Sequence, residues 1–279
     1  LPGYLSMTLS YDVNTGKAAP YSALTIVSTA AWGLGYFGMP HILLRFMAIE
    51  DEKKLKLSRR VATIWVVISL FVAVFIGVIG YTMSKVGALE MLTGSNSETI
   101  IVKISALLSQ HGVIFALLAG VILAGILAST MSTSDSQLLA ASSAVSSDIL
   151  GAFRKDSSNK NGSMAAARIT LLVISVVAAF IARNPDSSVF AIVSFAWAGF
   201  GAAFGPVVLF SLFWKRTSKW GALAGMVCGG SMVFIWKYLI RPLGGIWNIY
   251  ELLPAFLIAC AAIVIVSLLT PKPSKEIEE

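Results

Sequence analysis

The stretch Val113-Ile-Phe-Ala-Leu-Leu-Ala-Gly-Val-Ile-Leu-Ala-Gly-Ile-Leu-Ala-Ser-Thr-Met-Ser-Thr-Ser-Asp135 carries the reading of this chain. It is apolar without interruption from Val113 to Ala128. Then Ser129, Thr130, Ser132, Thr133 and Ser134 follow within six positions, with a carboxylate at Asp135. About 20 apolar residues in a helix cross the hydrocarbon core of a bilayer. Hydroxyls crowded onto the end of such a helix have no purpose toward lipid, but they suit a hard cation, which is held by hydroxyl and carbonyl oxygens. Three- and four-residue spacing puts Ser129, Ser132 and Thr133 on one face. The competing explanation is that each hydroxyl bonds back to the carbonyl four residues earlier and does nothing more. Asp135 stays open between an ion ligand and a solvated, capping or ion-paired carboxylate.

Working outward, hydrophobic residues make up 57% of the 279 positions and charged residues 13%, with a mean hydropathy of +0.81. A soluble domain carries about twice that charge, so the composition predicts an all-α membrane protein. Cys228 and Cys260 lie in apolar runs and read as small packing residues, not as a disulfide or metal pair. His41 and His111 are too isolated to suggest zinc. Seven segments are candidates to span: Ser22–Met47, Ala62–Met83, Val113–Ser134, Ala165–Ala182, Val189–Trp214, Gly221–Ile240 and Leu252–Thr270. Residues 1–270 therefore read as one transmembrane domain and 271–279 as a short tail.

The net charge of +7 would suit nucleic acid if the cations were clustered, but they alternate with the spans. One set of connections holds Lys53, Lys54, Lys56, Arg59, Arg60, Arg154, Lys155, Lys160, Arg168, Lys215, Arg216, Lys219, Lys272 and Lys275. The opposite set holds Lys17, Lys85, Lys103, Arg183, Lys237 and Arg241. Fourteen against six is a positive-inside signal. It predicts Leu1 outside, Glu279 in the cytoplasm, and no nucleic-acid partner. The chain opens without methionine or a cleavable signal pattern, in a loop-like stretch (Leu1–Pro20), and is expected to be part of a longer protein. Lys85–Gly112 contains an amphipathic run that predicts a short helix over the external mouth. Arg183–Ser188 reads as a tight turn and Lys155–Ser163 as a flexible polar loop.

Two spans are interrupted. Ala31-Trp-Gly-Leu-Gly-Tyr-Phe-Gly-Met-Pro-His41 packs three glycines and a proline into nine residues. Each glycine costs a helix about 1 kcal/mol and a proline about 3, so the helix is expected to unwind in mid-membrane. Freed backbone groups are tolerated there only beside a cavity or another helix. A broken helix of this kind holds solute in secondary transporters, and Trp32 and Tyr36, four apart, would form an aromatic wall. The alternative is a kinked helix packed through small residues. In Ser194-Phe-Ala-Trp-Ala-Gly-Phe-Gly-Ala-Ala-Phe-Gly-Pro206, small residues recur at Ala198, Gly201, Ala202 and Gly205. Ser194, Trp197 and Phe200 are candidates for gating, and packing is an equal alternative.

These three motifs, together with Arg45-Phe-Met-Ala48 and Gln137-Leu-Leu139, resemble the sodium/solute symporter family over nearly the whole chain, and within it the bacterial members that carry proline. The resemblance implies a LeuT-like inverted-repeat fold of which this chain is the C-terminal part, about seven transmembrane helices, with the N-terminal half of the same transporter as its missing partner. It also implies sodium-coupled uptake of proline by alternating access in the bacterial inner membrane, with sodium as coupling ion, no cofactor and no enzymatic step. Carried over by position, the ion would take the Ser129 carbonyl and the Ser132 and Thr133 hydroxyls, plus two ligands from a first core helix not in this chain. The solute would meet Trp32, Tyr36 and Pro40. Ser129 replaces an expected alanine, which a main-chain ligand tolerates, whereas Met39 replaces an expected glutamine and leaves another small solute open. A transporter-like sensory domain or an inactive remnant are the rivals outside transport.

Overall fold

The computed structural model describes residues 6, 8–12, 15–149, 160–183 and 188–272. A two-stranded antiparallel hairpin, β1 (Leu9–Asp12) and β2 (Lys17–Pro20), comes first and pairs Leu9 with Pro20. Then follow α1 (Ala23–Ala30), a 3-10 segment (Ala31–Gly38), α2 (Pro40–Met47), α3 (Leu55–Lys85), α4 (Ile100–Ser109) and α5 (Val113–Ser143). The series closes with α6 (Lys160–Ile181), α7 (Val189–Phe213), α8 (Lys219–Ile235) and α9 (Leu252–Leu269). Among the described residues, six helical stretches are long and apolar enough to cross a membrane: Glu52–Lys85, Val113–Ser146, Met164–Ile181, Val189–Phe213, Lys219–Leu243 and Leu252–Leu269. The chain is an all-α multi-pass membrane protein.

The seventh expected span, Ser22–Met47, is the broken one. Ser22 caps α1 by accepting from the Thr25 amide at 3.1 Å. After Ala30 the helix tightens to 3-10 geometry, and Met39 is extended (φ −82°, ψ 113°) before α2 restarts at Pro40. The run of glycines weakens the α-helix, and proline at the first position of α2 needs no amide partner. The expectation of a loop over residues 1–20 is corrected by the hairpin: Gly16, at φ +66°, supplies the turn that closes it. Helix α6 begins at Lys160 instead of Ala165, so part of the expected polar loop is helical. The rest of that loop, residues 155–159, the turn at 184–187 and the tail from 273 lie outside the described residues.

Two compact units emerge, Leu1–Leu43 with Val193–Glu279, and Leu44–Ile192. The first is built on helices that touch backbone to backbone. Its core is Ala198, Ala202, Val233, Leu252, Ala255 and Phe256. Along α8, Gly221, Gly225 and Gly229 recur at four-residue spacing and lie against Ser267, Ile263 and Ala259 of α9; a methyl at either of the first two would overlap that helix, and one at Gly229 would press on Ala259 and overlap the Ala202 backbone of α7. Small residues of this kind let membrane helices gain dispersion contact where no hydrophobic effect drives them together. Pro206 sits fully buried inside α7 and cannot donate to the Ala202 carbonyl four residues earlier. Gly229 meets that freed carbonyl. At the other end of the seam the Ser218 amide donates to Ser267 Oγ (3.1 Å), the Ser218 hydroxyl pairs with Thr270 Oγ1 (2.7 Å), and Arg216 donates to the Thr270 carbonyl at 3.1 Å.

In the second unit α3 and α5 expose long apolar faces, including Trp65, Phe71 and Val74 on one and Val113, Leu117 and Val121 on the other. Water would not tolerate them, whereas hydrocarbon is their natural solvent, and the helical ladder already satisfies the backbone. Gly80 of α3 lies against Ile100 of α4, and the Ser142 hydroxyl of α5 donates to the Ala167 carbonyl of α6 at 2.8 Å. The amphipathic run after Lys85 forms α4, as expected.

Candidate functional site

Two constellations hold the candidate residues, one in each unit. The first is built on the 3-10 segment. Gly35 lies against the Trp197 indole, Gly38 against the Phe200 carbonyl and the Gly201 and Gly205 backbone, and Gly201 against Gly35. Only glycine on both sides allows this approach. It places Trp197 Nε1 3.0 Å from the Trp32 carbonyl, to which it donates. Trp32 and Trp197 stack at 5.6 Å between centroids, and Tyr36 meets Trp197 edge-on at 4.8 Å.

A third ring completes the group. Tyr250, in the connection before α9, stacks on Trp32 at 5.8 Å, donates its hydroxyl to the Ser194 carbonyl at 2.6 Å, and donates its amide to Ser28 Oγ at 3.0 Å. Burial, reinforced by the neighbouring Glu251 carboxylate, pushes the Tyr250 phenol well above its ordinary range, so it remains a donor. The Trp32 indole is thus half-buried and committed to two parallel neighbours, while Tyr36 is 52% exposed. Pro40 is exposed at the start of α2, and Met39 is buried. Ser194 contributes its carbonyl. Trp197 acts through packing and its indole N–H, and Phe200 stacks on Phe204 at 6.1 Å.

The second constellation lies on α5, which stays helical through the whole hydroxyl cluster. Thr133 Oγ1 donates to the Ser129 carbonyl at 3.2 Å, so two of the expected ion ligands are adjacent oxygens. Thr130 bonds back to Ile126 at 2.9 Å and Ser136 to Ser132 at 3.0 Å. The back-bonding alternative thus describes Thr130, Ser136 and also Thr133, a member of the expected ligand set. For Thr133 the same bond brings a hydroxyl and a carbonyl together, where rotation of the hydroxyl proton would free both oxygens for a cation. Ser129, Ser132 and Thr133 are all exposed in this unit.

The profile of the Sodium:solute symporter family matches residues 7–229. The chain belongs to the sodium:solute symporter family. Its members are transporters, not enzymes. The osmoregulated proline transporter OpuE of Bacillus subtilis is 39% identical over 254 residues, 91% of this chain and 50% of that protein. The sodium/proline symporter of Salmonella typhimurium is 40% identical over 257 residues (92% and 49%), and that of Haemophilus influenzae 41% over 256 residues (91% and 50%). The chain spans about half the length of the curated relatives it matches. No solved structure matches it significantly.

Sequence reasoning overlooked Tyr250 and the α8 glycines. The glycines carried a readable signal in their four-residue spacing. Tyr250 carried none, because its partners Ser28 and Ser194 are 222 and 56 residues away.

Proposed function

We propose that this chain is part of a sodium-coupled proline symporter of LeuT-like architecture, working by alternating access in a bacterial inner membrane. The observation that supports it best is the broken segment Ala31–Met39, braced by Trp197, in a chain about 40% identical to proteins named for sodium and proline. A zwitterionic imino acid presents an apolar ring and two charged groups. Tyr36, with Trp32 behind it, would face the ring, and the interrupted backbone near Pro40 would supply dipoles to the charges. Sodium, as coupling ion, would take the Ser129 carbonyl and the Ser132 and Thr133 hydroxyls, with further ligands from outside this set. Ser194, Trp197 and Phe200 would brace the segment as it opens and closes. The basic bias of the connections supports Leu1 outside and Glu279 in the cytoplasm.

Coupling follows from linkage. If sodium and solute both favour the state in which both sites are formed, each raises the other's affinity by the same factor. Sodium entry then supplies about 2.3 kcal/mol per charge for every 100 mV of inward potential. The test is uptake of radiolabelled proline by the full-length protein in proteoliposomes under an imposed sodium gradient. Saturable uptake that collapses when the gradient is removed is expected. Uptake indifferent to sodium would refute the coupling. Proline competing no better than glucose or pantothenate would refute the solute and direct attention to Met39.

A further inference from the structure

We infer that Tyr250 is a positioning residue for the solute site, setting the plane of Trp32 and with it the shape of the aromatic wall. This rests on the solute reading above. Tyr250 is the one described residue that bonds α1 through its amide, α7 through its hydroxyl and the 3-10 segment through its ring. Three attachments to three elements fix a ring in position and tilt, which a packing contact alone does not.

The connection that carries Tyr250 is itself held. Glu251, the next residue, has a side chain only 1% exposed and accepts from Arg241 Nη1 at 2.9 Å. A carboxylate so deeply buried needs its cation. Arg241 also donates through Nε to Asn248 Oδ1 at 3.0 Å, and Trp236 Nε1 donates to the Ile249 carbonyl at 3.3 Å. The loop is tied on both sides of Tyr250, so the ring is presented to Trp32 from a rigid mount. Side chains that contact a ligand are effective only when such a supporting layer locks their orientation.

The consequence is separable from simple stability. Tyr250→Leu removes ring and hydroxyl, and should raise the KM for proline at least tenfold while the maximal rate per folded transporter stays within twofold. Tyr250→Phe keeps the stack and loses only the Ser194 bond, and should shift KM about threefold. Ile263→Ala, a fully buried residue of α9 that lies against Gly225 of α8, is the comparator: it should reduce the amount of folded protein and leave KM alone. A second readout needs no solute. With Cys228 and Cys260 replaced by serine, Gly33→Cys places a thiol on the exposed part of the 3-10 segment, and its reaction rate with a maleimide should rise at least threefold when Tyr250→Leu is added. An unchanged labelling rate overturns the inference, as does an unchanged KM in a protein that transports proline. If the parent protein takes up no proline, the solute reading falls, and the labelling rate still decides whether Tyr250 holds the segment.

Discussion

Gly229 and Gly230 are adjacent on α8 and should respond oppositely to the same substitution. A methyl group at Gly229 would overlap the Ala202 carbonyl and press on the Ala259 side chain, whereas at Gly230 it would meet only the Ala203 methyl, at 3.8 Å. Both alanine variants gain the same helix propensity, about 1 kcal/mol, so that gain cancels when they are compared. What remains is the cost of forcing two backbones apart, about 1–3 kcal/mol for an overpacked site. The obstruction is a carbonyl and not the end of a flexible side chain, so rotamer changes cannot relieve it. Gly229→Ala should therefore be less stable than Gly230→Ala by about 1–3 kcal/mol, a factor of roughly 5 to 150 in the unfolding equilibrium. Denaturant unfolding of the full-length protein in one detergent, with both variants run side by side, measures it. Equal stability of the two would refute the backbone seam between α7, α8 and α9.

On the proposed ion site, Thr133→Ala should raise the sodium concentration for half-maximal uptake at least tenfold, since a lost ligand oxygen would cost more than about 1.4 kcal/mol, while Thr133→Ser keeps the oxygen and should be mild. Trp197→Phe deletes the donor to the Trp32 carbonyl and should destabilise the protein by about 1–3 kcal/mol, read by thermal unfolding; no change would mean that carbonyl finds another partner. A cysteine at Asn96 should react with an impermeant thiol reagent only from outside and one at Lys53 only from the cytoplasm, and the reverse would invert the orientation. The Glu98 carboxylate accepts from the Ser188 hydroxyl (2.7 Å) and from the Val189 and Phe190 amides at the first turn of α7. The Ser188 bond above all holds its pKa below the ordinary 4.5. Its stabilising effect is thus complete above that value and lost as pH falls through the lowered one. Glu98→Gln should flatten stability against pH in that acid window relative to the parent, and identical profiles would show that this cap does not matter.

Much of the architecture was legible because the bilayer imposes a simple rule on sequence. Long apolar windows had to be helices, and the glycines and proline between Ala31 and Pro40 had to interrupt one. The spacing of Ala198, Gly201, Ala202 and Gly205 likewise announced a helix meant for close contact. Legibility failed where partners are distant. Nothing local to Glu98 says that it caps a helix beginning at Val189, and nothing local to Tyr250 points to Trp32. The hairpin at Leu9–Pro20 went unread because its strands are four residues each, too short to show alternation against a background of turn-forming residues. Trp32 illustrates a subtler gap: its placement on the broken segment could be read, but its stacking on two other rings could not, because both arrive from elsewhere in the chain.

The glycine seam between α8 and α9 also bears on how the protein is made. The two helices are sequence neighbours joined by a short connection, so they can meet as soon as both have left the translocon, with little chain entropy lost in closing the loop. The broken segment has no such neighbour. The Trp32 carbonyl waits for a tryptophan synthesised 165 residues later, and the Tyr250 amide finds Ser28 only after 222. During synthesis the aromatic group therefore cannot close until Tyr250 has emerged, and a ribosome that stalls before it leaves Trp32 without its second ring neighbour.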